Sequence, residues 1–449
     1  MPAADEPNTL IPARADTAPA DDPRRLDLRS LLSRAEAAAP VGVIDAMAAA
    51  LLEMLDARDV RFLIADFSGR TLSRLGHTAA VTEPEARSEE TSQRVQLEGT
   101  PYGQALAAQR SVVLREKEDT RILAPVTSRG EAVGVLELVV PFEPAAITLE
   151  DVEHAAHQLA YVVIANRRYT DLFEWGQRTV PLSLAAEIQR RLLPASFACE
   201  ADQFTLAGWL EPAGEVGGDT FDFSLDRNSL RVSMTDAMGH SVDSSLLATL
   251  VVGSLRNTRR RGSTLVEQAQ GAHDALLAYS QPGGFVTGQL VRVDLVAQTA
   301  RVLNAGHPRP YRLRQGRVAE IDLAANQPFG ATAGATWMDQ ELSLEAGDRV
   351  LLLTDGMLER NADSLDIASL LLASQHLHPR EAIQYLTHAV LDAVGGELRD
   401  DATSLCFDWH GGAQDDRVAY AGAEHRAQRQ RHGDGLAKTA PGSAPLARP

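Results

Sequence analysis

Residues 349–357 read Arg349-Val350-Leu351-Leu352-Leu353-Thr354-Asp355-Gly356-Met357. The apolar run predicts a strand over Arg349–Leu353, and Thr-Asp-Gly predicts the turn that ends it, so the carboxylate of Asp355 is expected at the strand's end. The same grammar occurs upstream, where Leu230–Met234 runs into Thr235-Asp236-Ala237-Met238-Gly239-His240. Two more aspartates stand beside strand-like runs, Asp219 in Val216-Gly217-Gly218-Asp219-Thr220-Phe221 and Asp400 in Arg399-Asp400-Asp401-Ala402, ahead of Thr403–Trp409. Each of the four is expected where a strand stops and a turn begins. Carboxylates so placed converge at one edge of a sheet without disturbing its packed interior. Four together repel one another unless a hard, oxygen-loving cation holds them, which predicts a divalent-metal site and hydrolytic chemistry. Taken singly, each Asp is an ordinary turn residue; the order and spacing of the set carry the reading. Gly217 and Gly218 remove side-chain bulk and permit unusual backbone angles beside a cation.

The chain around these strings has 449 residues, 44% of them hydrophobic, and a formal net charge of −18. The length predicts two or three folded units, and the acidity argues against nucleic acid as the main partner. Cys199 and Cys406 belong to no paired motif, so neither a disulfide framework nor a thiolate zinc site is expected. Residues 1–25 are polar, acidic and proline-rich, and residues 411–449 are rich in Gly, Ala, Arg and Pro; both are expected to be disordered. No apolar signal core opens the chain and no apolar run is long enough to span a bilayer, which predicts a cytoplasmic protein with no membrane partner.

The first folded unit is expected over residues 26–168. It shows a strand at Val60–Ala65, a turn-rich middle, a short helix at Gln104–Gln109 and a strand at Ser111–Leu114. A hairpin then joins RILAPVTS to AVGVLELVV across Arg129-Gly130-Glu131, and a helix begins near Thr148. The strings EGTPYGQALAAQRSVV and RILAPVTSRGEAVGVLELVV resemble a GAF sensor domain. The resemblance implies an antiparallel sheet with helices on its faces, and a small ligand bound over the sheet in many members. No Cys or His stands out as a chromophore or haem anchor; His77, His154 and His157 match no motif.

A long helix is expected from about Leu149 through Trp175, with Leu159, Val162, Val163, Tyr169, Leu172 and Phe173 at spacings that put several on one stripe. Pro181 should break it, and a short helix in LSLAAEIQRRLLP should end at Pro194. Residues 169–193 thus read as a helical linker, and the stripe predicts a homodimer through it. The second unit, 182–410, alternates strands at Phe204–Leu210, Leu230–Met234, Phe285–Val293, Thr299–Asn304, Tyr311–Arg314, Arg349–Leu353 and Thr403–Trp409 with helices at Ser244–Arg256 and about Ile367–Val394. Many strands in hairpin-like order with grouped helices predict a layered sheet sandwich flanked by helices, in an α/β (α+β) chain.

From Ile188 to Phe407 the second unit resembles the SpoIIE-type branch of the metal-dependent protein serine/threonine phosphatases, bacterial relatives of the type 2C enzymes. The blocks, in order, are IQRRLLP, EPAGEVGGDTFDF, MTDAMGHSVDSSLLA, FVTGQLVRVDL, LNAGHPRPY, LEAGDRVLLLTDGMLER and RDDATSL. The resemblance implies an α-β-β-α sandwich holding two Mn²⁺ or Mg²⁺ ions. It implies that Asp219 and Asp236 hold them from one side with the backbone carbonyl of Ala237, and Asp355 and Asp400 from the other, with Asp401 behind Asp400. Two such cations would lower the pKa of a shared water and supply hydroxide for attack on a phosphoserine or phosphothreonine. By the same resemblance the substrate is a phosphorylated STAS-type anti-sigma-factor antagonist, and His240 and His307 are turn residues rather than general acids. The chain departs from the family at Ser241, Asp243 and Ser244 and again after Gly356, which bears on substrate docking and motivates the alternative of a catalytically silent binding partner. Gly217-Gly218-Asp219-Thr220-Phe221 also looks like the GGDEF string of diguanylate cyclases, but lacks its acidic fourth residue and leaves the other six blocks unexplained.

Overall fold

The computed structural model describes residues 25–67, 69–75, 94–178, 182–201, 203–213, 217–239, 242–279, 283–358, 365–395 and 398–412. The segments expected to be disordered, apart from Arg25, Gly411 and Gly412, lie outside the described residues, as do His77, Pro181, His240, Ser241 and the stretch 359–364 after Asp355.

Two helices, α1 (Leu28–Ala37) and α2 (Val43–Leu55), open the first unit. Its sheet comprises β1 (Asp59–Ala65), β2 (Thr71–Leu75), β3 (Arg94–Gln96), β4 (Val112–Glu116), β5 (Asp119–Ser128) and β6 (Glu131–Val140). They pair antiparallel in the order β3-β2-β1-β6-β5-β4. Arg129 and Gly130 both have positive φ (47° and 86°), the backbone a two-residue hairpin requires to match strand twist. Strand alternation sends Phe62, Ile64, Ile122, Ala124, Leu136 and Leu138 to one face, under α1, α2 and α4 (Ala146–Asn166). Leu63, Ala65, Leu123 and Val135 go to the other face, under α3 (Pro101–Ala108). Helix α3 begins three residues earlier than the sequence suggested, because Thr100 caps it and Pro101 fits its first turn.

The long linker helix is not continuous. Helix α4 ends at Asn166, and α5 (Leu172–Gln177) starts afresh where the Thr170 hydroxyl accepts the N–H of Leu172, a local bond that competes with helix continuation. Part of the apolar stripe packs on its own unit, with Leu159, Val162, Val163 and Phe173 buried in the first core, whereas Tyr169 of the same stripe and Tyr161 of α4 are exposed. Helix α6 (Leu184–Leu192), capped by Ser183, follows as expected.

The second unit has two antiparallel sheets. One orders β15 (Gln340–Leu342), β12 (Thr299–Ala305), β11 (Val286–Asp294), β10 (Ser229–Ala237) and β9 (Asp219–Leu225). The other orders β14 (Arg317–Glu320), β13 (Tyr311–Arg314), β16 (Arg349–Leu353), β17 (Ala402–Trp409), β8 (Phe204–Glu211) and β7 (Ala198–Ala201). Between them lies a core of Leu206, Phe221, Val232, Met234, Val350, Leu352, Leu405 and Phe407. Helices α7 (Val242–Arg260) and α8 (Leu265–Tyr279) cover the outer face of the first sheet, and α9 (Ile367–Ala373) and α10 (Pro379–Ala393) that of the second. The result is the α-β-β-α sandwich expected. The helical stretch expected over about Ile367–Val394 comprises two helices, because His378 caps a new start and Pro379 cannot extend the old one. Helix α8 escaped the sequence reading, although Thr264 and Glu267 form a reciprocal capping box at its start.

Arg349, wholly buried, forks onto Asp408 of the neighbouring strand at 2.7 and 2.9 Å and donates to the carbonyls of Ser374 and Leu377 between α9 and α10. Removing one partner of such a pair strands the other charge. Arg349→Leu is therefore expected to lower unfolding free energy by about 3–5 kcal/mol; urea denaturation of the variant showing a loss below about 1 kcal/mol would contradict this account of the junction.

Candidate metal centre

Inward positions along the central strands change chemistry at one edge of the inter-sheet layer. On β10 the series Leu230, Val232, Met234 continues to Asp236, and on β9 Phe223 and Phe221 lead back to Asp219. On β16 Val350 and Leu352 lead to Thr354, and on β17 Phe407 and Leu405 lead back to Thr403. Period-two alternation thus carries an apolar core into a polar end without changing face. Asp219 begins β9 and Asp400 precedes β17, so these two stand where strands start rather than stop. Antiparallel pairing still brings them to the edge reached by Asp236 and Asp355.

Asp219 and Asp236 are direct register partners across β9 and β10. Opposed side chains sit about 4.5–5.5 Å apart at Cβ, and like charges there repel by on the order of 3 kcal/mol at an effective dielectric near 20. The Oδ2 atom of buried Asp219 accepts from the hydroxyls of Thr354 (2.7 Å) and Thr403 (2.6 Å). Burial foremost, then Asp236 and Asp401, still hold the Asp219 carboxyl well above the usual carboxylate range, against the lowering effect of those hydroxyls. Burial also raises Asp236, helped by Asp355, Asp400 and Asp401, to about 7. Two hydroxyls, at roughly 1.5–3 kcal/mol each to a charged acceptor, do not neutralise such a cluster.

Asp355 opens a short 3-10 turn (Asp355–Leu358) and is exposed; Asp400 is also exposed and accepts the N–H of Asp401 at 2.9 Å. Asp401 is buried, and its two oxygens accept from Ala213 N, Gly218 N and Gln189 Nε2. The carbonyl of Ala237 faces Gly218 so closely that a Cβ there would stand 2.6 Å from it; a Cβ on Gly356 would stand 2.0 Å from the carbonyl of Asp401. Both glycines are required by close backbone approach. The side chains of Asp219, Asp236, Asp355 and Asp400 thus share one polar edge, but no three acidic, His or Cys side chains among the described residues close on one point at ligating distance. The all-oxygen donor set, with the carboxyls of Asp219 and Asp236 raised by burial and by neighbouring aspartates, fits a hard divalent cation.

Several residues that build this edge were not read as such from the sequence. Thr354 and Thr403 anchor Asp219 and also bond to each other, Thr403 N to Thr354 Oγ1 at 3.0 Å. Gln189, buried on α6, donates to the carbonyl of Asp219 at 2.8 Å and to Asp401 at 2.5 Å. Ser244 and Ser245, at the start of α7, both donate to the Gly217 carbonyl, and Ser245 also to that of Ala185. The departure at Ser244 thus has a structural role. His307 is buried, its Nδ1 paired with Thr287 Oγ1 at 2.9 Å, and burial pushes its pKa down to about 3, which leaves the ring neutral and unsuited to donate a proton.

Residues 226–410 match the family model described as stage II sporulation protein E (SpoIIE). The SpoIIE match begins after Asp219, so Asp219 is joined to the site by its pairing with Asp236. Among curated proteins, the chain is 23% identical over 186 residues to the phosphoserine phosphatase RsbP of Bacillus subtilis, covering 40% of this chain and 46% of that one. It is 19% identical over 230 residues to the phosphoserine phosphatase RsbU of the same organism, covering 50% and 68%. The chain therefore spans less than half the length of the first of these relatives. A solved structure of the RsbU and RsbW domains of Rv1364c from Mycobacterium tuberculosis is 21% identical, with 53% and 71% covered and a TM-score of 0.42.

Because the folded-state pKa of Asp236 lies above its unfolded value, protonation favours the folded metal-free protein at low pH, and this contribution is lost as pH rises through about 7. A bound divalent ion takes over as countercharge above that range. The rise in Tm on adding Mn²⁺ or Mg²⁺ is therefore expected to be larger at about pH 8 than at about pH 5. Gly218→Ala is expected to shrink it. Equal shifts at both pH values would contradict this reading.

Proposed function

We propose that residues 182–410 hydrolyse phosphoserine or phosphothreonine on a protein substrate, and that residues 26–168 form a GAF-type sensor that regulates them. The observation that carries the reading is the cross-strand pair Asp219–Asp236 at the polar end of the inter-sheet layer, with Asp355 and Asp400 in reach of the same field. Two Mn²⁺ or Mg²⁺ ions would be held by Asp219, Asp236, Asp355, Asp400 and the Ala237 carbonyl. Bound there, such ions supply an activated water for in-line attack on phosphorus and offset the charge of the phosphoryl oxygens.

The chain's own residues do the rest. Thr354 and Thr403 fix the rotamer of Asp219, leaving its Oδ1 without those hydroxyl partners. Asp401 gathers Ala213, Gly218 and Gln189 behind the site and so acts as its brace. The match of residues 226–410 to the SpoIIE family model, and the likeness to two Bacillus subtilis proteins named phosphoserine phosphatases, support phosphoprotein hydrolysis. A phosphorylated STAS-type antagonist is the substrate we favour. No helix among the described residues is long and apolar enough to cross a membrane.

Regulation is proposed to run through α6, whose Gln189 reaches both Asp219 and Asp401 from the segment that joins the two units. Turnover of a generic aryl phosphate with Mn²⁺ is expected to fall in Asp236→Asn and Asp355→Asn by more than the roughly 10–100-fold typical of outer partners of metal ligands. Wild-type rates in both would end the metal assignment. Gln189→Leu is expected to lose roughly 10–100-fold while keeping a cooperative unfolding transition; an unchanged rate would remove α6 from the coupling.

A further inference from the structure

A cavity of about 1160 Å³ opens between the two units, away from the carboxylate edge. It is lined by the turn after β1, the start of α3, the linker, α7 and α10. Its volume matches or exceeds that of ordinary small-molecule sites, and junctions between domains are where such sites concentrate. Its charge runs against that of the chain: nine arginines and seven carboxylates are among the described lining residues, in a protein of net charge −18.

The arginines are not all spoken for. Asp222 is shared by Arg256, which grips it with two nitrogens at 3.1 Å, and by Arg259 at 2.8 Å, so that group keeps one positive charge. The guanidiniums of Arg190 and Arg260 make no hydrogen bond or close ion pair among the described residues, and Glu174 and Glu187 act on Arg190 only at longer range. Arg190 lies over the ring of Phe67 from the first unit, while its neighbour Arg191 pairs with Glu174 and Glu187. Arg167 donates to the carbonyl of Ala195. Burial pushes the Arg190 guanidinium down to about 9, still cationic at neutral pH but short of the solvation it would have in water. A desolvated guanidinium on an aromatic face is a fork for planar, bidentate recognition of phosphate or carboxylate.

We propose that this cleft is a binding site for a small organic or inorganic polyphosphate, with Arg190 and Arg260 as its anion-binding residues. The inference does not rest on hydrolysis, since binding is read without turnover. The wall that bears Arg190 is α6, one residue from Gln189, so the occupant would lie beside the helix that braces the carboxylate edge.

The test is calorimetric titration of the full chain, in EDTA, with pyrophosphate and with ATP as probes. One or both should bind saturably at one site per chain. Arg190→Gln and Arg260→Gln should each weaken that binding about tenfold, the equivalent of one charged hydrogen bond; Asp236→Asn should leave it unchanged. Arg260 is exposed at the end of α7, so its variant keeps the test open if Arg190→Gln misfolds. Absence of saturable binding by both probes overturns the proposal. So does binding that neither arginine variant weakens, or binding lost in Asp236→Asn.

Discussion

Two aspartates facing each other across a pair of strands are an expensive thing to build. Asp219 and Asp236 occupy the last inward-facing positions of β9 and β10, where the adjoining positions hold Phe221 and Met234. A sheet would ordinarily place an apolar or oppositely charged pair there. Much of the surrounding structure can be understood as holding that pair in place: two threonine hydroxyls on Asp219, a buried Asp401 that ties three distant segments behind it, and two glycines without which neighbouring backbones would collide.

The same constraint reaches the linker. Helix α6 is short, yet it touches the site through Gln189, the α7 start through the Ala185 carbonyl, and the inter-unit cleft through Arg190. The first unit is joined to the second by more than the chain: Arg380 of α10 donates to the carbonyls of Gly130 and Leu106, Glu200 N donates to the carbonyl of Arg129, and Arg70 pairs with Glu211. Movement of the hairpin turn or of the loop after β1 would therefore be felt by α10 and β8 directly.

How much of this was legible depended on whether the signal was local. Strands such as Tyr311–Arg314 and Arg349–Leu353 lie where alternation and turn residues put them, because both signals act within a few residues. Short edge strands such as β14 and β15 carry little apolar patterning and went unread. The aspartates were visible as punctuation, but their pairing was not: nothing near Asp219 says that Asp236 is opposite it. Gln189 was invisible for the same reason, its partner Asp401 being 212 residues away. Likewise, the spacing of apolar residues on α4 does not say what each one packs against, and it is the tertiary structure that places Leu159, Val162 and Val163 in the core of their own unit.

Strand β17 lies at the heart of its sheet, between β16 and β8, although it is the last strand of the unit in the chain. A nascent polypeptide halted before residue 402 would expose facing edges of β16 and β8 and would lack Thr403. The second unit is therefore aggregation-exposed until its last strand is made, since unpaired central strands template wrong pairings. Truncated products would be recognisable to proteolytic surveillance by those open edges, and full assembly of the sandwich would coincide with the arrival of the final strand.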